Sequence, residues 1–355
     1  YCPESSYAAP RAADPARPEG EQAMHMADAL LSPAVGGAMG VVTAATVAWC
    51  SRRLRRDGDD RRVPLMGVLG AFLFAAQMIN FSIPGTGSSG HLGGGLLLAI
   101  LLGPEAAYLV VASVLIVQAL FFADGGLLAL GCNIFNMGFL PAFVGYPIYR
   151  ALAGREPTPR RTSIALVVAA VVSLQLGALA VVLETVASGI SALPFGTFAL
   201  FMLPIHLAIG LVEGVVTVAI VSSLRLARPQ VLSGPPLASG SVAAPALGFL
   251  AAALLLGGVG AWYASQAPDG LEWSIAKSAQ AAEVLPSSPV QASLGRVQQA
   301  TALLPDYNFR PESAGDRVQD DPRLGTSLAG IVGGLLTLAL AGLLGLALKA
   351  RAGRR

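Results

Sequence analysis

Nine apolar runs, several of them long enough to enter a membrane, constrain this chain more than any other feature. They fall at about 34–50, 64–82, 92–102, 105–122, 127–149, 162–187, 196–224, 243–264 and 326–348. A helix needs roughly 20 apolar residues to cross the hydrocarbon core. Only 12% of the residues are charged and 54% are hydrophobic, whereas a soluble domain carries about a quarter charged residues. A single water-soluble core cannot hide that much apolar surface. The expected fold is all-α: a polytopic membrane bundle of about seven helices, then a two-helix hairpin with a long external loop.

The interruptions are as informative as the runs. The run at 92–102 is too short to span alone. Gly103-Pro104 separates it from the next run, as a helix stop followed by a helix start. Residues 83–103 therefore read as a loop that dips inward, followed by a short half-buried helix. Non-helical backbone at membrane depth is tolerated only where protein buries it or it lines a site. Residues 229–242 are rich in Pro, Gly and Ser and read as a linker. The expected organisation is a membrane domain over 24–228, the linker, and a helical hairpin over 243–355 whose polar connection covers 265–325. Residues 1–23 lack the apolar core of a signal peptide. They read as a disordered extension or an over-extended reading frame.

Basic residues give the orientation. Arginines cluster after the first, fifth and seventh runs, and Lys349, Arg351, Arg354 and Arg355 close the chain. These clusters hold most of the Lys and Arg, so their side is assigned to the cytoplasm. Residues 24–33, 83–91, 123–126, 188–195 and 265–325 then lie outside. The expected location is the cell membrane.

Two of the three histidines sit on that outer side, each at the mouth of an apolar run: His25 in Met24-His25-Met26-Ala27-Asp28, and His91 in Ser88-Ser89-Gly90-His91-Leu92-Gly93-Gly94-Gly95. Histidine is a common metal ligand and costly near lipid. A chain starting at Met24 would offer its amine, the His25 amide and the His25 ring as three nitrogens, and His91 could add a fourth. Four nitrogens in a plane suit Ni(II) or Cu(II) better than Mg or Ca. The plainer reading is two inert interfacial histidines. The glycines around His91 let its loop fold tightly over a small site. Asp28 is a candidate to orient an imidazole, or simply a helix-start cap.

Other polar residues carry less. Asn133, Asn136 and Met137 lie within an apolar run, where interhelical hydrogen bonding and support of a metal loop are both open readings. His206 reads as a packed or interfacial histidine. Glu105, Glu184 and Glu213 are isolated acids near span ends, with Glu213 the deepest. Cys2, Cys50 and Cys132 show no CxxC spacing and read as packing residues. The sequence contains no GxxxxGK[ST], no HExxH and no readable nucleophilic triad, so no ATPase site, no enzyme and no resident cofactor are expected. The arginines form loop anchors rather than a nucleic-acid stripe.

Three motifs in order carry a resemblance. Met24 to Pro33, Gly87 to Gly95 with Leu101 to Pro104, and Asn133-Ile134-Phe135-Asn136-Met137-Gly138 resemble the nickel/cobalt substrate-capture subunit of energy-coupling-factor importers, the CbiM/NikM family. Ala267-Pro268-Asp269-Gly270-Leu271-Glu272-Trp273 resembles the signature of the small accessory subunit of the same importers, so the chain looks like a fusion of the two. The resemblance implies a metal held by the amine of Met24, the amide and ring of His25, and His91. It supports a role for Asn133 and Asn136 in hydrogen bonding around the metal loop, and Asp28 and Ser89 are further candidates for supporting roles. It also implies a transmembrane coupling subunit and cytoplasmic ATPases as partners, with Ni2+ or Co2+ as the transported ligand. Residues 1–23 depart from the pattern, since they would turn the Met24 amine into an amide. A membrane metal sensor without transport is the alternative. A membrane enzyme with a His-bound metal is a weaker third reading, for want of paired acids.

Overall fold

The computed structural model describes residues 25–57, 62–156, 158–191, 193–227, 243–278, 288–310 and 322–352. The segment 1–23, the candidate ligand Met24 and the 229–242 linker lie outside the described residues.

The fold is an all-α polytopic membrane bundle. Its helices are α1 (Pro33–Asp57), α2 (Arg62–Gln77), α3 (Gly95–Leu102), α4 (Pro104–Phe121), α5 (Leu130–Ile134), α6 (Tyr146–Ala153), α7 (Pro159–Ser188), α8 (Phe195–Ala227), α9 (Ala243–Gly258), α10 (Gly270–Ser278), α11 (Pro289–Thr301) and α12 (Pro322–Ala352). Five helices among the described residues are long and apolar enough to cross a membrane: α1, α4, α7, α8 and α12. The apolar helices α2 and α9 are shorter.

α4 is the hub. Tyr108, Leu109, Val110 and Val111 along it are fully buried. α3 is buried as well, with Leu96, Leu98 and Ala99 almost wholly covered. The short helix expected to be half-buried is therefore an interior element. Gly94, with φ 70°, turns the chain into it. Before it comes a short antiparallel hairpin, β1 (Phe81–Ile83) with β2 (Ser88–Gly90), pairing Ser82 with Ser89.

The expected single helix over 127–149 is a composite. α5 and α6 flank a π-helical segment, Phe135–Gly145. Pro141 inside it has no amide to donate and clashes with a regular α turn. The Tyr146 amide bonds back to the Pro141 carbonyl, five residues earlier. Wide turns of this kind recur at functional sites.

The C-terminal unit packs directly on the first. α9 and α12 lie against α2. With little hydrophobic drive between helices in lipid, close approach matters most. A methyl group on Gly67 would meet the Leu338 carbonyl at 2.8 Å, and one on Gly257 would meet Gly330 Cα at 3.2 Å. The 265–325 connection includes α10 against α8, and α11 against α4.

The bundle's two ends differ in chemistry. The segments expected outside meet one another: Gln291 donates to the Asp28 and Leu31 carbonyls, and the Ser89 amide donates to the Pro268 carbonyl. Arg225 and Thr162 meet at the other end, 3.0 Å apart.

Candidate metal centre

His25 and His91 come together. Their ring centroids are 5.3 Å apart. His25 is buried, with 4% of its surface exposed. Both rings line a cavity of about 110 Å3 that extends inward past Asn136, Met137, Met202 and Glu213.

The His25 backbone lies in a built slot. Asn133 Nδ2 donates to the Met26 carbonyl at 3.1 Å, and Asn133 Oδ1 accepts from the Met26 amide at 3.2 Å. The Gly126 amide donates to the same Met26 carbonyl at 3.0 Å. Gly125 has φ 78°, and a methyl group there would meet His25 Cβ at 2.8 Å. Glycine is needed at that position for both reasons.

His25 Nδ1 lies 3.0 Å from Asp124 Oδ1. The contact is an ion pair whose angle falls outside that of a good hydrogen bond, and His25 Nε2 has no hydrogen-bond partner among the described residues. Asp124 Oδ2 accepts from the Tyr307 hydroxyl at 2.5 Å. Burial alone would lower the His25 pKa, but the charge and contact of Asp124, helped by Asp269, raise it above its ordinary value. Burial works to raise Asp124, yet the His25 charge, its contact, Tyr307 and His91 together hold it below the ordinary carboxylate range. The two directions agree on a charged pair.

His91 is held differently. The Gly93 and Gly94 amides donate to the two oxygens of Glu213 on α8, at 2.8 and 3.2 Å. Gln77 Nε2 donates to the Gly93 carbonyl, and Gln118 Nε2 donates to Gln77 Oε1. A buried carboxylate with two backbone donors is the kind of satisfied acid a membrane interior tolerates. On the other flank, Ser89 Oγ donates to the Ala267 carbonyl at 2.8 Å.

Asp269 lines the same cavity and is 6% exposed. Burial pushes its pKa up to about 8, against the Glu272 amide it accepts from.

The expected site residues divide clearly. His25, His91, Asn133 and Asn136 all line the cavity. Asn136 Nδ2 donates to Glu184 at 2.8 Å. Ser89 braces the His91 loop against the C-terminal unit rather than facing the rings. Asp28 does not reach an imidazole: its carboxylate accepts the Ala129 amide at 2.9 Å, and Asp124 stands where an orienting acid was sought. The reason is distance along the chain, because three residues after His25 the backbone has already turned toward α5. His206 Nδ1 donates to the Met202 carbonyl at 2.8 Å. Glu105 pairs with Arg53 at 2.9 Å. Cys50 and Cys132 are buried and unbridged. Sequence reasoning missed Asp124, Gln77, Gln118 and Tyr307. Asp124 is the lone acid of its short loop, and no motif marks it.

The membrane fold and the family comparisons together define a membrane component of metal transport. The chain belongs to the CbiM family, described as the cobalt uptake substrate-specific transmembrane region, over residues 25–231, with a PDGLE domain over residues 243–350. It is 36% identical to the putative fused nickel transport protein NikMN of Archaeoglobus fulgidus, over 89% of this chain and 96% of that one. It is 32% identical to the cobalt transport protein CbiM of Sorangium cellulosum, over 59% of this chain and 94% of the relative. A crystal structure of a transition metal transporter superposes with a TM-score of 0.52 at 30% identity, covering 58% of this chain and 94% of that chain. The C-terminal unit is thus the fused, accessory-like part of a nickel/cobalt transport protein.

Proposed function

We propose that this chain is the substrate-capture subunit of an energy-coupling-factor importer, taking Ni(II) or Co(II) on the outer side of the cell membrane. Residues 24–228 would form the capture domain and 243–355 the accessory unit. The observation that carries the reading is the His25–His91 pair, with His25 buried and His91 partly buried, lining a shared cavity at the end of the bundle away from the arginine clusters. Partner subunits, a transmembrane coupler and cytoplasmic ATPases, would supply the energy, since the sequence has no phosphate-binding loop of its own.

In a chain that starts at Met24, the donors proposed are the Met24 amine, the His25 amide and ring, and His91. A chelate between the His25 amide nitrogen and its own ring closes through Nδ1, because Nε2 lies on the far side of the imidazole. Nδ1 is the atom that faces Asp124. Loading therefore exchanges a proton at Nδ1 for the metal, with the Asp124 carboxylate close by to offset its charge. Cells making the chain together with its partners should accumulate labelled Ni(II) or Co(II), and a His25→Ala variant should not. Metal binding without accumulation would favour a sensor instead.

A further inference from the structure

A groove of about 370 Å3 opens where α6 leads into α7. Its rim is Thr158, Arg160 and Arg161, and its wall is Leu152, Ile164 and Val168. Rim and wall follow one another along one helix face. Arg160, Ile164 and Val168 stand at successive turns of α7, so the face passes from a guanidinium to apolar side chains within about 12 Å. That length is close to the hydrocarbon depth of one leaflet, about 15 Å. Ile164 is 54% exposed and Leu152 42%, and α7 is long and apolar enough to cross a membrane.

The cationic rim is held in place and its charge is not cancelled. Arg161 Nε donates to the Leu152 carbonyl at 2.6 Å. A methyl group on Gly154 would meet Arg161 Cζ, Nη1 and Nη2 alike at 3.1 Å. The guanidinium therefore lies flat over that glycine, and among the described residues neither Nη group makes a hydrogen bond. Among the same residues the ion pairs are His25–Asp124 and Arg53–Glu105. Neither Arg160 nor Arg161 is neutralised by an acid, Glu156 on the connecting loop included. Arg225 brings a third guanidinium to this turn of α7, donating to the Thr162 hydroxyl at 3.0 Å.

We propose that this groove binds an anionic phospholipid, its phosphate on Arg160 and Arg161 and an acyl chain along Ile164 and Val168. A guanidinium offers phosphate oxygens paired donors in a matching plane. Basic pockets at the membrane-facing ends of helices recognise anionic headgroups. A soluble anion would use the arginines and leave the apolar wall idle.

The test uses the full chain in detergent, with bound lipid read by native mass spectrometry. Dioleoylphosphatidylglycerol should be retained more strongly than dioleoylphosphatidylcholine, which has the same chains and no net charge. Arg160→Gln should weaken the phosphatidylglycerol complex about fivefold, and Arg160→Lys should keep most of it. Arg52→Gln removes the same charge from an exposed position on α1 and should change nothing. Equal retention of the two lipids, or equal effects of Arg160→Gln and Arg52→Gln, would overturn the site. Glycerol 3-phosphate carries the phosphate without chains and should compete poorly; full competition by it would overturn the lipid as occupant. Should Arg160→Gln fail to fold, Ile164→Gln decides, since it breaks the wall and leaves both arginines. Phosphatidylglycerol retention should fall in that variant, and wild-type retention would sink the proposal.

Discussion

Both histidines have their neighbouring backbone held, but only the His25 ring meets a carboxylate directly. A carboxylate sits on the His25 ring, while Glu213 grips the amides of Gly93 and Gly94, two and three residues beyond His91. The first arrangement fixes a donor atom. The second fixes a loop, and the His91 ring sits within it with Nδ1 3.3 Å from the Leu92 carbonyl. The glycines after His91 explain this: Gly93 and Gly94 have no side chains, so on that flank the loop is anchored through its peptide groups. A site built this way joins one preset ligand to one whose position depends on how well the loop is closed.

Removing each ring tests the comparison most severely. His91→Ala in the purified chain should lower Ni(II) affinity by more than about a hundredfold, beyond what supporting residues usually command. His206→Ala should leave it unchanged, because that ring already donates to the Met202 carbonyl one turn away. Titration calorimetry with Ni(II) and Co(II) measures both. Equal affinity in wild type and His91→Ala would remove His91 from the site.

The two anchors come next. Glu213→Gln keeps one neutral acceptor oxygen where two carboxylate oxygens are used, so one of the Gly93 and Gly94 amides loses its acceptor altogether, a loss of about 1.5–3 kcal/mol. The thermal midpoint should drop, metal affinity should fall about tenfold, and the His91 signals should broaden while those of His25 stay sharp. Asn133→Ala gives the opposite pattern, loosening the His25 segment through two neutral bonds of about 1 kcal/mol each. If Glu213→Gln disturbs His25 as much as His91, the two ligands are not held independently.

Much of this architecture was legible beforehand, because bilayer-length runs leave an unambiguous record. The short α2 and α9 fit less easily into runs read at bilayer length. The π-helical segment was hidden because Pro141 looks like any proline tolerated in a membrane helix. His25 and His91 were legible as rare polar residues in a poor background. Asp124 was not, since one acid in a short loop has no period and no motif. Tyr307 lies 183 residues from the acid it holds, and a contact at that separation leaves nothing to read in one sequence. Asp28 misled for the complementary reason: nearness in sequence suggested a partner that the backbone carries elsewhere.

The smallest expected effect is the dependence of binding on pH, and it separates the two histidines again. Burial alone would favour the neutral His25 ring, but Asp124 reverses this and raises its pKa above the ordinary imidazole value. A raised value means that the ring keeps its proton to higher pH, and the metal must displace that proton. The part of Ni(II) affinity that this proton controls should therefore be weakest in acid, climb by less than about tenfold per pH unit, and level off above the raised value, on top of the protons that the amine and amide donors release. The same shift stabilises the metal-free fold below the unfolded-state pKa, and that contribution disappears as pH rises through the folded-state value. Asp124→Asn removes the raising charge and leaves burial dominant, so the midpoint of the affinity curve should move toward acid. Calorimetric titrations of both proteins across the neutral range would show it. A midpoint unchanged by Asp124→Asn would mean that the proton being displaced is not the one Asp124 holds on His25, and the contrast between a ring gripped directly and a ring gripped through its loop would fail at its first member.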